Sequence, residues 1–208
     1  MGLRTKTKLF FLRTLTKKQV AEQHALWESL YGQFDRTDYE KFFVSGLPSE
    51  SGVYHGEIIK WAMDIHPQRV LFAGENKETA EQLKQIIKAD FVFTTGLGGT
   101  DFEWDFEKEP PAIEENFDLV VSRAILEHLL NPFKHVLDLS SLLQESGYLI
   151  LHTVMPGFPY HRHPIDSVRF FPDWFEEVAQ RMKLEIVKKK ISDTHIFYMY
   201  QKPGKQPF

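Results

Sequence analysis

The residue types best suited to chemistry are concentrated in one part of the chain. Five of the nine histidines, His128, His135, His152, His161 and His163, fall within 36 positions of one another. The richest run is Met155–Pro172, MPGFPYHRHPIDSVRFFP, whose four prolines and Gly157 specify a stiff, irregular loop rather than a helix. A histidine ordinarily titrates at about pH 6.5, so it can take a proton from an attacking hydroxyl. His161 and His128 are the first candidates for that base, with Asp166 orienting a histidine or bonding an acceptor hydroxyl. The alternative for Asp166 is a pairing with Arg169 that only stiffens the loop. His161-x-His163 with Asp166 also offers the nitrogen and oxygen ligand types of a zinc or manganese site. His152, inside the apolar run Tyr148–His152, reads as a packed residue.

These residues have to be positioned by elements, and after Pro67 strands and helices alternate. Arg69–Gly74 (RVLFAG) is a short apolar run of the kind that forms a buried parallel strand. A helix follows over Lys77–Lys88, then a strand at Phe91–Thr94. Phe102–Phe106 is a candidate third strand, and Phe117–Ser122 a further one, followed by a short helix over Ala124–Leu130. Asn131-Pro132 starts a helix to about Leu143, with Asn as cap and Pro at the first helical position. Gly147 introduces the strand 148–152, and Pro172 opens a helix over Asp173–Met182. Two terminal strands, Glu185–Val187 and His195–Tyr200, flank the turn at Ser192-Asp193. The pattern predicts an α/β fold: a Rossmann-like, mostly parallel sheet with helices on both faces and an antiparallel edge strand.

Composition narrows the class. With 208 residues, 42% apolar, 14% aromatic and a net charge of −4, the chain can bury one sizeable core and is not natively disordered. The absence of cysteine excludes disulfide scaffolds, zinc ribbons and thiol nucleophiles. Apolar runs stay far short of the roughly 18 residues of a membrane span, and Leu9–Leu12, broken by Arg13, is too short for a secretory signal. A soluble, cytoplasmic protein is expected. The mildly acidic balance argues against bulk binding of nucleic acid.

Residues 1–66 form a basic arm and helical cap, and 67–208 the α/β domain. Residues 1–20 carry Arg4, Lys6, Lys8, Arg13, Lys17 and Lys18 and no acid, which suits peripheral contact with an anionic membrane or a phosphate-bearing partner; the plainer reading is a solvated arm. Val20, Ala21, His24, Trp27 and Leu30 recur at helical spacing, a second short helix fits Asp38–Val44, and Glu57–Ile65 reads as a third.

The segment Asn116–Leu129, NFDLVVSRAILEHL, resembles the fourth strand and following turn of the class I S-adenosylmethionine (SAM)-dependent methyltransferases, small-molecule branch. The helix after Asn131, the Ser146-Gly147 turn and the strand 148–152 resemble that family's next unit. The similarity covers roughly Gln68–Tyr200. It implies a SAM cofactor held by Ala73, Gly74, Glu75, Thr95, Asp105 and Ser122, with Asp105 against the adenine amino group. It also places the loop containing Tyr160, His163 and Arg169 beside the acceptor. Similar H…P.D..RF.P segments occur in members that modify sugars or glycans, so O-methylation of a small sugar-related acceptor is the implied reaction.

The chain departs from the family at the first motif. Phe72 stands where the family has an acid, and Asn76 where it has a second glycine; Glu75 either substitutes for the acid or only starts the helix. A methyltransferase-like module that binds without catalysis is the competing reading. The family's divalent-ion cluster Glu-x-x-Glu-His has Ala124 at its first position here, so no metal is expected. No G-x-x-x-x-G-K or G-x-G-x-x-G pattern is present, which removes phosphate-cradling readings.

Overall fold

The computed structural model describes residues 52–156, 158, 164–192 and 194–204. The basic arm, the expected helices over 17–30 and 38–44, and Tyr160, His161 and His163 lie outside the described residues. The elements are α1 (Gly52–Ile65), β1 (Arg69–Ala73), α2 (Lys77–Ile87), β2 (Phe91–Gly96), β3 (Phe102–Glu103), β4 (Phe117–Arg123), α3 (Pro132–Ser141), β5 (Leu143–Val154), α4 (Pro172–Met182), β6 (Glu185–Ser192) and β7 (His195–Gln201). The seven strands form one sheet in the order β3-β2-β1-β4-β5-β7-β6, parallel except where β7 pairs antiparallel with β5 and β6.

Strand alternation divides the core into two layers. Val70, Phe72, Leu119, Val121, Ile150 and Phe197 face α1 and α2, where Ile59, Trp61, Leu83 and Ile87 cover them. Leu71, Ala73, Val120, Leu149, Leu151 and Tyr198 face α3 and α4, with Val136, Leu139, Phe175 and Val178 above them. Helix α1, which the sequence groups with the cap, is therefore one layer of the sheet body.

Local sequence sets the element ends. The Asn76 side chain accepts the Thr79 N–H and caps α2, and Lys88 closes that helix in the left-handed region. The Asn131 side chain accepts the Lys134 N–H, with Pro132 opening α3 as expected. Asp118, the acid of the FDLV motif, accepts the N–H groups of Gln68 and Arg69 and so fastens the start of β1 to β4. Gly147 belongs to a close approach: a Cβ there would lie 3.0 Å from the carbonyl oxygens of both Gln144 and Phe117.

Four expectations are corrected. α1 begins at Gly52 rather than Glu57, and β5 at Leu143, ahead of Gly147. β3 spans only Phe102–Glu103; Trp104 still donates its N–H to the Gly96 carbonyl at 2.8 Å, and its indole is buried against Phe106 and His135. In place of a helix over 124–130 there is one 3-10 turn, Leu126–His128, preceded by Ala124 at φ +53. A residue in that region cannot continue a right-handed helix.

Candidate active site

The strand order reverses between β1 and β4, and open α/β sheets bind ligands in the crevice that such a reversal leaves at their carboxyl edge. A crevice of about 440 Å³ lies there. Gly74 and Leu97 form its floor and one side, Asp105, Phe106 and Glu107 close the β3 end, and Ile125 and His128 close the β4 end with Pro164 and Ile165. Two carboxylates and no Lys or Arg line it among the described residues.

The end of β1 shows how the departing motif is accommodated. Gly74 sits at φ +82 and donates its N–H to the Thr95 carbonyl at 2.8 Å. A Cβ there would lie 2.3 Å from Ile125 Cδ1, so both backbone and packing require glycine. Ala73 is fully buried, in register with Thr95 and Ser122. Phe72 points into the apolar layer under α1 and α2. Glu75 turns inward, 5% exposed, and its Oε1 accepts from Arg123 at the end of β4. Asn76, not Glu75, caps the helix.

Other expected cofactor contacts divide by what their side chains already do. The Thr95 hydroxyl donates to the Phe102 carbonyl at 2.8 Å and holds β3 to β2. Ser122 is buried, its Oγ 3.0 Å from His135 Nε2. His135 is fully enclosed, and burial followed by the charge of Lys134 pushes its pKa down to about 3, so it is a neutral ring. Asp105 does reach the crevice. The Glu107 N–H, and then Lys108, hold its carboxyl below the usual range. Glu107 accepts the Leu130 N–H and ties the β3 loop to the turn after β4.

At the opposite end the 3-10 turn and the segment before α4 are stapled together. The Ser167 N–H donates to the Glu127 carbonyl at 2.8 Å, and the Ser167 hydroxyl donates to the carbonyls of Glu127 and Leu129. His128 Nδ1 lies 2.6 Å from the Ile165 carbonyl oxygen. A carbonyl only accepts, so Nδ1 carries the proton and Nε2 is the acceptor nitrogen of the neutral ring. Nε2 lies 3.9 Å from Oε1 of Glu127, whose side chain is buried and whose Oε2 accepts the Thr153 hydroxyl at 2.6 Å.

Asp166 presents both carboxylate oxygens to Arg169, and its side chain is almost fully enclosed. That bond, against the cost of burial, raises the Arg169 pKa, so the guanidinium is a permanent cation. The pair matches the loop-stiffening alternative for Asp166. His152 is buried as a packed residue, its Nε2 3.2 Å from His195 Nδ1 and its ring against Phe197. Arg123, Thr153 and Ser167 were not singled out by sequence reasoning. Arg123 stood in the quoted motif directly after the strand, the one signal that pointed to it.

Comparison of the fold with solved structures identifies the architecture. A SAM-dependent methyltransferase from Clostridium acetobutylicum is 13% identical over 80% of this chain and 96% of its own, with a TM-score of 0.57. Magnesium protoporphyrin IX methyltransferase from Synechocystis PCC 6803, solved with bound SAM, is 14% identical over 85% and 89% of the two chains, with a TM-score of 0.54. An O-methyltransferase family protein from Burkholderia thailandensis is 10% identical with a TM-score of 0.57; the alignment takes in 74% of this chain but only 57% of that longer one. The chain thus has the fold of the class I SAM-dependent methyltransferases. No protein-family model and no curated protein sequence matches it.

Proposed function

We propose that this protein is a SAM-dependent methyltransferase that methylates an oxygen of a small, sugar-related acceptor. The observation that carries the reading is His128, on the crevice wall, with its proton fixed on Nδ1 by Ile165 and Nε2 left as acceptor.

The residues present fit the donor. Its adenosine is uncharged and its sulfonium cationic, and the crevice offers apolar walls with Asp105 and Glu107 and no cation for a phosphate among the described residues. Gly74 and Ala73 would pass beneath the donor with their backbone, Asp105 would accept from the adenine amino group, and Glu75 would face the amino-acid end. Thr95 and Ser122 would support that floor from behind.

When bound, the donor supplies an electrophilic methyl group and leaves as a neutral thioether with the electron pair of the broken bond. The chain's own part is to align the acceptor, exclude water and remove one proton. His128 Nε2 takes that proton from the acceptor hydroxyl as its oxygen attacks. Asp166 and Arg169 hold the segment that carries Ile165, and so position His128 by way of the backbone. Tyr160, His161 and His163, on the same loop, remain the candidates for acceptor contacts, and the sugar preference rests on that loop's resemblance. The basic arm would bring the enzyme to an anionic surface, and a cytoplasmic site of action is part of the same reading.

The test is transfer of labelled methyl from SAM to a panel of sugars, sugar nucleotides and small phenols. Incorporation into sugars that is lost in His128→Gln supports the reading. Incorporation into phenols alone would remove the sugar preference. A second reading, a binding module without catalysis, draws on the apolar Phe72 at the end of β1; tight binding of S-adenosylhomocysteine with no transfer to any acceptor would favour it.

A further inference from the structure

The large apolar residues that stay exposed are not spread evenly. Leu97, just past β2, and Leu130, after β4, are 76% and 77% exposed, and both line the crevice. From Leu130 the run continues along the outer face of α3 through Phe133 and Leu137, one helical turn apart. Val168, also exposed, lies beside it, because the Ser167 hydroxyl donates to the Leu129 carbonyl at 2.7 Å. A single exposed leucine needs no explanation, but a row of them that starts at a ligand crevice marks a docking surface.

The border of this surface is acidic. Glu107 accepts the Leu130 N–H, Glu109 is 87% exposed beside Lys134, and Asp173 stands exposed in the first turn of α4. The neighbouring cations are already engaged, Lys108 with Asp105 at 3.2 Å and Lys134 with Asp138 at 2.7 Å. The occupant that fits is therefore both apolar and basic.

The chain contains such a segment. Of its 25 bases and 29 acids, residues 1–20 hold six bases and no acid. The bases bracket the apolar run Leu9–Leu12: Lys6 and Lys8 stand before it, and Arg13, Lys17 and Lys18 after it. The segment also arrives at the right edge. β6 runs parallel to β5, since both pair antiparallel with β7, and its Lys188 and Lys190 reach Asp64 and Glu57 of α1. Helix α1 therefore descends from the carboxyl edge of the sheet, and the chain preceding Gly52 comes in at the edge where the crevice lies. Residues 21–51 separate the arm from that point. A random coil of such a length spans about 30 Å, or about six strand spacings, enough to cross from one face of the sheet to the other.

We propose that residues 1–20 dock on this surface of their own chain, with Leu9–Leu12 over Leu130, Phe133 and Leu137 and the flanking cations against Glu107, Glu109 and Asp173. The segment then lies beside the crevice mouth, and an anionic surface has to compete with these acids for the same cations. The assignment does not depend on which donor the crevice holds.

Because the chain has no cysteine, a nitroxide pair can be placed at two chosen positions. Labels at Thr14→Cys and at Ser141→Cys, one turn beyond Leu137 on α3, report the arm-to-helix distance in the full chain by double electron–electron resonance. We expect one narrow, short-distance population that is lost in about 1 M sodium chloride, where the screening length falls to about 3 Å. Glu109→Lys/Asp173→Lys should reduce that population at least about fivefold against the undocked one. Adding Lys8→Glu/Lys17→Glu should recover it, and thermal unfolding is recorded for each variant beside the wild type. A broad distribution in the wild type, or a narrow one that charge reversal leaves unchanged, overturns the proposal, as does reversal without recovery. A narrow peak that fades when labelled chain is diluted into unlabelled chain puts the arm on a second copy, and one that forms only with anionic vesicles puts it on a membrane; either result overturns docking within the chain.

Discussion

At the residue scale, Gly74 and His128 carry the sharpest consequences. Gly74 combines φ +82 with a space already taken by Ile125. Gly74→Ala should cost about 1–3 kcal/mol in urea unfolding, and adding Ile125→Ala should recover part of it, since only the packing component is relieved. For His128 the expectation concerns rate. His128→Gln should lower kcat by about 10²–10⁴, leaving the affinity for S-adenosylhomocysteine within about threefold by calorimetry. If both fall together, His128 builds the crevice rather than serving as its base. Histidine, as a residue type, is the sequence's candidate for the base. Which histidine has a fixed tautomer is not legible there, because the carbonyl that fixes it belongs to Ile165, 37 residues away.

At the scale of elements, the site depends on a staple between two pieces of irregular chain. The 3-10 turn after β4 and the segment before α4 have no ladder in common, and Ser167 joins them by its N–H and hydroxyl. Ser167→Ala should lower amide hydrogen-exchange protection at Ser167 and Val168 by about tenfold while global unfolding changes little. The sequence marks this loop as stiff through its prolines but does not show what it is fastened to. The second element is the β2–β3 connection, where burial pushes the Asp101 carboxyl up while Lys77 and the N–H and hydroxyl of Thr94 hold it below the usual range. Those bonds close the glycine-rich turn 96–99, of which Gly96 and Leu97 line the crevice. Three glycines in that turn announce a loop; only the bonds from Thr94 show where it goes.

At the scale of the whole molecule, charge is placed so that the sheet does not extend. Among the described residues β6 is an edge strand, and its three consecutive lysines alternate faces: Lys188 and Lys190 reach Asp64 and Glu57 of α1, and Lys189 reaches Glu176 of α4. Lysines on an edge strand deter pairing with another chain. Stability should also depend on pH through His135, whose pKa falls from 6.5 to about 3 on folding. Between those values the unfolded chain binds the extra proton, so the contribution is complete above pH 6.5 and is lost as pH falls. Lowering the pH from about 7.5 to 5 should remove about 2 kcal/mol of unfolding free energy through this residue. Denaturant titrations of the wild type and His135→Gln at the two pH values would show that difference shrinking by the same amount; equal losses in both proteins would count against it.

Periodicity, caps and the FDLV–LEHL segment determined on their own the strand–helix alternation, the sheet with its antiparallel edge and the methyltransferase resemblance. Each of those rests on residues near one another in the chain, where side-chain alternation and capping leave a readable trace. Tertiary structure alone decided that Glu75 pairs with Arg123 and that Ser122 is bonded to His135. A short polar side chain has several partners of equal chemistry within its own sequence. The one it takes is set by which strand ends the sheet order brings within hydrogen-bond reach.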